Sequence, residues 1–415
     1  MDNYPFVFLI RSRGSLKPNI RVPLQPNHLN TLVKRAIERL EHKVHAHRAA
    51  GLLRTLKQTD SLLDFCSNDY LGFARSANLK RTIQAADEAF STAYTGATGS
   101  RLLAGNTLLA EEVEVELAAF HQAESARIFN SGYDANLGLL ACIARREDTL
   151  ITDELIHASM IDGARLSYAA RYRFRHNDIE DLVRLLAKTQ GQAYVAVESV
   201  YSMDGDVAPL VELADVCDQY GAALLVDEAH ATGIYGPNGE GLVVALGLQD
   251  RVLARVHTFG KAMGVHGAAI VGPAILSEYL TNFARSFIYT TALPPHSYLS
   301  IRAAYAYLKQ HPHAQQQLHN RVAYFRQKAS EYLPDAIWTD SRSPIQCLIV
   351  PGNEAARQVA EAAQLAGFDV RAILSPTVPA GQERLRICIH TFNTYEEIDR
   401  LLSVLQTALI GIPTL

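Results

Sequence analysis

Cysteine is scarce in this chain and badly placed for cross-linking. Its five copies, Cys66, Cys142, Cys217, Cys347 and Cys388, are odd in number, widely scattered and without a CxxC pair. Neither a disulfide framework nor a zinc site is suggested, and no metal is expected; the thiols read as small core residues. Charge of one sign is also scarce. With 39 Lys and Arg against 43 Asp and Glu the net charge is only −4, so a nucleic-acid partner is not expected. No apolar run approaches the roughly 18 residues of a membrane span, so no membrane partner is expected either. The early stretch Phe6-Val7-Phe8-Leu9-Ile10 is too short for a signal-peptide core, and Arg11 and Arg13 come after it instead of before. These absences point to a cytoplasmic globular protein, and 415 residues suit two or three domains.

What is present divides into three parts. Residues 1 to about 25 lack periodicity and run toward Pro23 and Pro26, the pattern of a loose arm. From Leu29, the positions Leu29, Leu32, Val33, Ala36 and Leu40 share one helical face, and a basic tail runs on from Lys43 to Arg54, completing an N-terminal segment of residues 1–60. Residues 62–65 read as a strand. The turn Ser67-Asn68-Asp69-Tyr70-Leu71-Gly72 either presents Asn68 to a site or spends it on an Asx-turn. A glycine-punctuated loop, 95–106, has neither GxGxxG nor GxxxxGK[ST] spacing, which supports no dinucleotide fold and no nucleotide phosphate loop. Strands and helices then alternate: strands at 126–129, 149–152, 172–174, 193–197, 222–226 and 252–256, with helices at 108–121, after 131, and at 158–166, 179–186 and 210–220. Such alternation predicts a mainly parallel sheet with helices on both faces, a large domain over 61–296. Residues 297–415 read as a smaller α/β C-terminal domain, with long helices to 332, strands at 347–350 and 385–389, and helices at 355–366 and 395–409.

Ligands of open α/β sheets bind beyond the carboxyl ends of the strands. The predicted ends collect His157, Ser202, Asp227, His230, Thr258 and Lys261. Strand, small-residue turn and helix start at Ser131-Gly132-Tyr133 make an anion site, because free N–H groups and the helix dipole point the same way. Gly132 and Tyr133 are thus candidate phosphate and ring contacts, with packing as the alternative. Lys261 comes after an apolar run and stands between Gly260 and Gly264. A half-buried lysine loses charge readily and becomes a nucleophile, so Lys261 is a candidate Schiff base to a carbonyl cofactor such as pyridoxal phosphate; otherwise it snorkels from a loop. In Asp227-Glu228-Ala229-His230, Asp227 could hold a pyridinium nitrogen and His230 the adjacent ring oxygen, which keeps the ring an electron sink. The same four residues occur as the magnesium box of some helicases. That motor needs an upstream phosphate loop and usually a basic surface, and the chain has neither.

Taken in order, Ser67-Asn68-Asp69-Tyr70-Leu71-Gly72, Ser131-Gly132-Tyr133, His157-Ala158-Ser159, Ser202-Met203-Asp204-Gly205, Asp227-Glu228-Ala229-His230 and Thr258-Phe259-Gly260-Lys261 resemble the α-oxoamine synthase family. These are pyridoxal 5′-phosphate enzymes of the aspartate aminotransferase fold (fold type I), and the likeness runs from about residue 28 onward. The resemblance implies that Lys261 holds the cofactor, that Asp227 and His230 meet its ring nitrogen and hydroxyl, and that His157 stacks on its face. Ser202 and Thr258 fall on cofactor contacts. Thr290 and Thr291, in Ile288-Tyr289-Thr290-Thr291-Ala292-Leu293-Pro294-Pro295, fall on a motif that reaches the phosphate from a partner subunit, which implies a homodimer with shared active sites.

The same resemblance places Thr377 and Arg386 in the segment that grips the amino-acid carboxylate, a bidentate task suited to guanidinium. Apart from it, Arg384 and Arg386 read as a charge pair on one face of an edge strand. Around the lysine, at Pro344-Ile345-Gln346 and at 376–381, the chain is more similar to members that condense alanine with a pimeloyl thioester than to glycine users. Arg54 falls on the arginine those members set against the distal carboxylate of the acyl chain; otherwise it is a surface charge at a helix end. The acyl group would arrive on coenzyme A or on an acyl carrier protein. Two departures stand out: Glu228 occupies a position where aspartate is common, and His266 one where serine occurs.

Overall fold

The computed structural model describes residues 31–56, 61–90 and 94–411, and the chain divides into two units, Met1–Asp60 and Ser61–Leu415. In the first unit, a helix spans Thr31–Ala49 and stops just before Gly51, which takes a left-handed φ of +66°. Its apolar positions Val33, Ala36 and Leu40 are exposed. The expected arm and Leu29 lie outside the described residues.

The second unit is organised on a seven-stranded sheet, β2-β8-β7-β6-β5-β3-β4, where β2 is Ser125–Phe129, β3 Thr149–Asp153, β4 Ala170–Phe174, β5 Ala193–Glu198, β6 Ala223–Asp227, β7 Val252–Thr258 and β8 Ala268–Gly272. Six strands run the same way; β8 alone is antiparallel to its neighbours β2 and β7. Burial on both faces explains the near-continuous apolar runs of β5 to β8, because a parallel sheet flanked by helices offers no wet face. Val195, Val197, Leu224, Val226, Ala254 and Val256 are all within 1% of full burial. Each branched side chain among them contributes about 1.5–3 kcal/mol of burial.

A second, three-stranded sheet has the order β11-β12-β9, with β9 at Ile345–Ile349, β11 at Arg371–Ile373 and β12 at Arg384–Cys388. Arg384 and Arg386 therefore sit on its central strand, not on an edge as the charge pattern alone suggested, because β9 and β11 hydrogen-bond to both sides. A two-residue strand β1, Leu63–Asp64, pairs with β10, Phe368–Asp369, and Phe65 packs edge-on against Phe368 at 5.8 Å. The stretch 63–65 thus belongs to the same hydrophobic cluster as Leu385 and Ile387. Conversely, the helix Pro295–Gln310 packs into the cluster that holds Leu109, Val113 and Phe259.

Among the described residues no helix is long and apolar enough to cross a membrane. Cys217, Cys347 and Cys388 are buried, and all five cysteines are free thiols.

Candidate active site

Parallel strands end together, and residues at and just past those ends share one cavity of about 260 Å³. Asn68, Gly132, Tyr133, His157, Asp227, Thr258 and Lys261 all line it. Ser131 caps the helix Gly132–Cys142 by accepting from Asp134 N–H. The N–H groups of Gly132 and Tyr133 find no acceptor among the described residues, as the first turn of a helix leaves them. Gly132 is obligatory by close approach: a Cβ there would lie 2.3 Å from Thr258 Cγ2. The loop after β7 is pinned in the same manner. Gly264 takes φ +68°, and a Cβ on it would meet Ala74 N at 2.3 Å, so the backbone carrying Lys261 lies hard against residues 73–74.

Lys261 Nζ is 2.9 Å from His230 Nε2, and His230 Nδ1 is 2.8 Å from the Tyr70 hydroxyl. Tyr70 in turn donates to Asn68 Oδ1 at 3.0 Å, which also accepts from Arg386 Nη2 at 3.0 Å. Proton counting fixes the tautomer. Tyr70 has one proton and gives it to Asn68, so His230 carries its proton on Nδ1 and offers Nε2 as acceptor to the amine. Burial, helped by the neighbouring Lys261, Arg386 and His157, pushes His230 well below its usual pKa and keeps it neutral. Burial also lowers Lys261 to about 8, against the pull of Asp227. A fraction of the amine is then uncharged at neutral pH, where an ordinary lysine would be wholly charged.

Asp227 accepts from Asn136 Nδ2 at 2.6 Å and from Ala229 N–H at 2.8 Å. Its neighbour Glu228 turns away and is consumed by structure, accepting from the N–H groups of Leu242 and Val243 and from Ser199. A magnesium box is therefore not what this Asp-Glu-Ala-His builds. His157 accepts on Nδ1 from Ser159 N–H, so its neutral ring carries the proton on Nε2, and burial lowers its pKa.

Arg386 donates from Nε to the Ser202 carbonyl at 2.7 Å and has no carboxylate partner among the described residues. Arg384, by contrast, is buried and paired with Asp204. Asn68 makes no Asx-turn: that task falls to Asp64, whose Oδ1 accepts from Cys66 and Ser67 N–H. Thr290 Oγ1 and the Thr291 carbonyl accept from Asn130, beside the anion turn. Tyr133 is half exposed and donates to Asp162. Thr377 is exposed and does not line the cavity; Arg54 is exposed in the first unit.

Three residues in the site carried no signal that sequence reading used: Asn136, which lines the cavity and donates to Asp227, and the two that follow. Glu198, the last residue of β5, lines the cavity, and Tyr70 supplies the link from Asn68 to His230. The donor set fits the expected carbonyl cofactor: a lowered amine, a buried carboxylate, two free N–H groups, and a buried Thr258 hydroxyl with no partner among the described residues.

The family described as aminotransferase class I and II matches residues 60–405. The 8-amino-7-oxononanoate synthase of Emericella nidulans is 42% identical over 92% of this chain and 96% of its own. A putative 8-amino-7-oxononanoate synthase of Geobacillus kaustophilus is 42% identical over 81% of this chain and 86% of its own. Among solved structures, serine palmitoyltransferase from S. paucimobilis with a bound PLP–myriocin adduct superposes with TM-score 0.81 at 28% identity, covering 92% of this chain and 98% of that one. The 8-amino-7-oxononanoate synthase of Francisella tularensis gives 0.72 at 29% identity, covering 85% and 98%.

Proposed function

The chain belongs to the class I and II aminotransferases, in their α-oxoamine synthase branch, and from that membership we propose that it condenses L-alanine with a pimeloyl thioester. The products are 8-amino-7-oxononanoate, carbon dioxide and the free thiol, a step of biotin formation. The chain is a pyridoxal 5′-phosphate enzyme of fold type I.

The observation that carries the reading is the hydrogen-bonded line from Arg386 through Asn68 and Tyr70 to His230 and Lys261. It sets a guanidinium with no carboxylate partner among the described residues at one end and a lowered amine at the other, which suits a substrate with a carboxylate and an amino group. Asp227 would hold the ring nitrogen, His157 the ring face, and the Gly132–Tyr133 turn with Thr258 the phosphate. Bound there, the cofactor supplies an electron sink for the α-carbon. Lys261 would anchor it, and its free amine, or a group beside it, would take and return the α-proton; the low pKa keeps a neutral fraction available for that work. Arg386 orients the amino acid by its carboxylate. The same membership supports a homodimer in which the partner subunit's Thr290 and Thr291 would approach the phosphate.

A sister activity, with glycine or serine and a different acyl group, is favoured only by the likeness to serine palmitoyltransferase structures. The higher identity to the oxononanoate synthases, over nearly the whole of both chains, supports alanine and pimeloyl. Steady-state assays decide it: alanine, glycine and serine against pimeloyl, acetyl, succinyl and long uncharged thioesters, each acyl group on coenzyme A and on a carrier protein. Alanine with pimeloyl should lead. Arg54→Ala should raise the KM for the pimeloyl thioester about tenfold or more, the loss of one charged hydrogen bond, and leave that for alanine nearly unchanged. Preference for glycine, or equal use of an acyl chain lacking the distal carboxylate, would move the chain to the sister activity.

A further inference from the structure

Glu198 is 2% exposed, and its Oε1 has no hydrogen-bond partner among the described residues. Strand register places it directly beside Asp227, as Glu198↔Asp227 in the parallel pair β5–β6. Paired residues of parallel strands project to one face, and both line the cavity that holds Lys261. Two carboxyls so placed cannot both ionise cheaply, and the proton goes to the one whose charged form is worse supported. Asp227 has two donors, Asn136 Nδ2 at 2.6 Å and Ala229 N–H at 2.8 Å. Glu198 Oε1 has none, and although the N–H groups of His157 and Ser202 approach the carboxyl and favour its charged form, burial and Asp227 outweigh them. The other titratable groups facing it do not reverse the choice. His157 is neutral through burial, Tyr201 is a buried phenol whose proton burial also retains, and Lys261 is a weakened cation shared with Asp227.

We propose that Glu198 is a neutral carboxylic acid at working pH, a buried hydrogen-bond donor that positions an oxygen acceptor of the bound cofactor while leaving Asp227 as the single negative charge facing the ring nitrogen. Burial and the adjacent Asp227 both push its pKa upward, which agrees with the geometry. The role is one of positioning: Glu198 sets the charge seen by Lys261 and by the ring without exchanging a proton with substrate. The inference rests on the pyridoxal phosphate reading above.

The test compares Glu198→Gln with Glu198→Ala. Glutamine keeps the shape, the neutrality and a donor. With Gln, the pH midpoint of the lysine-bound cofactor absorbance should move by no more than a few tenths, and cofactor affinity, measured by titrating the apoprotein, should hold within about threefold. Alanine should weaken that affinity about tenfold or more, the loss of a hydrogen bond to a charged group. Infrared spectra of the wild-type apoprotein should show a protonated-carboxyl C=O stretch that is absent from Glu198→Gln, and this readout needs neither cofactor nor turnover. A fall in the Gln midpoint by about one unit or more, as removal of a nearby negative charge demands, would overturn the proposal. So would a missing carboxyl stretch, or wild-type affinity in the alanine variant. Failure of the cofactor reading looks different: the wild type itself would then take up no coloured cofactor.

Discussion

His176 should make this fold depend on pH on the alkaline side, by an amount the geometry bounds. Its Nδ1 lies 3.0 and 3.1 Å from the two oxygens of Asp153, and its Nε2 lies 2.7 Å from Asp206 Oδ2. With a carboxylate at each nitrogen, both must carry protons, so the ring is an imidazolium. Burial alone would lower its pKa; the two carboxylates outweigh that and raise it from 6.5 to about 10. At about 1.4 kcal/mol per pH unit the full linkage is on the order of 4–5 kcal/mol. The side chain is 22% exposed, and screening by water should bring the measured figure to about 2–3 kcal/mol. The sign is set by a folded pKa above the unfolded one. The contribution is complete below pH 6.5 and is lost as pH rises through about 10. The clamp also matters to the site, since Asp206 closes the loop whose Ser202 carbonyl anchors Arg386. We expect His176→Gln to lower urea stability by about 2–3 kcal/mol near pH 6.5, and the gap to the wild type to shrink progressively as pH rises from 6.5 to about 10. A gap that stays constant across that range, or an NMR titration of His176 near its ordinary value, would refute the argument.

Three further outcomes are expected. Lys261→Ala should abolish the visible absorbance of lysine-bound cofactor; a surviving, unshifted band would mean that another lysine holds it. Asp227→Asn should leave the cofactor bound yet cost several kcal/mol of transition-state stabilisation, roughly a thousandfold in kcat or more, and near-normal turnover would remove Asp227 from its assigned place. In Gly132→Ala the new methyl group collides with Thr258 Cγ2 at 2.3 Å, so the turn must move by overpacking of about 1–3 kcal/mol. Phosphate competition against cofactor uptake by the apoprotein should then show a weaker anion site, and unchanged affinity would show that the turn is not the cradle.

The parallel strands were legible because burial on two faces writes itself as unbroken apolar runs, and the residues just past those runs are where such sheets place ligands. Lys261, Asp227 and His230 came from that rule and meet at one end of the sheet with Gly132, which came from the strand–turn–helix pattern of an anion site. β8 went unread because Ala268-Ala269-Ile270-Val271-Gly272 is short and rich in small residues, and antiparallel insertion leaves no local mark. β10 and β11 have two and three residues, below any periodicity. Whether Arg384 and Arg386 stand at an edge depends on partners at 345–349 and 371–373, information that no window around them holds. Glu198 looked like the polar end of an ordinary strand, and only its register against Asp227 gives it meaning. Tyr70 was read as part of a turn, because a hydroxyl's partner 160 residues away is invisible locally.

The pairing of the chain's early turn with its late strands also sets a timetable. His390 Nε2 bonds the Ser67 carbonyl across 323 residues, and β1 can close only on β10. At translation rates of about 5–20 residues per second, Ser67 waits roughly 15–65 s for its partner to be synthesised. Until then Phe65 has no core to enter, and Asn68 and Tyr70 cannot bridge Arg386 to His230. The strand-end groups that would receive the cofactor are synthesised well before β12, so on a ribosome Arg386, the proposed grip for the amino-acid carboxylate, is the last part of the site to be assembled.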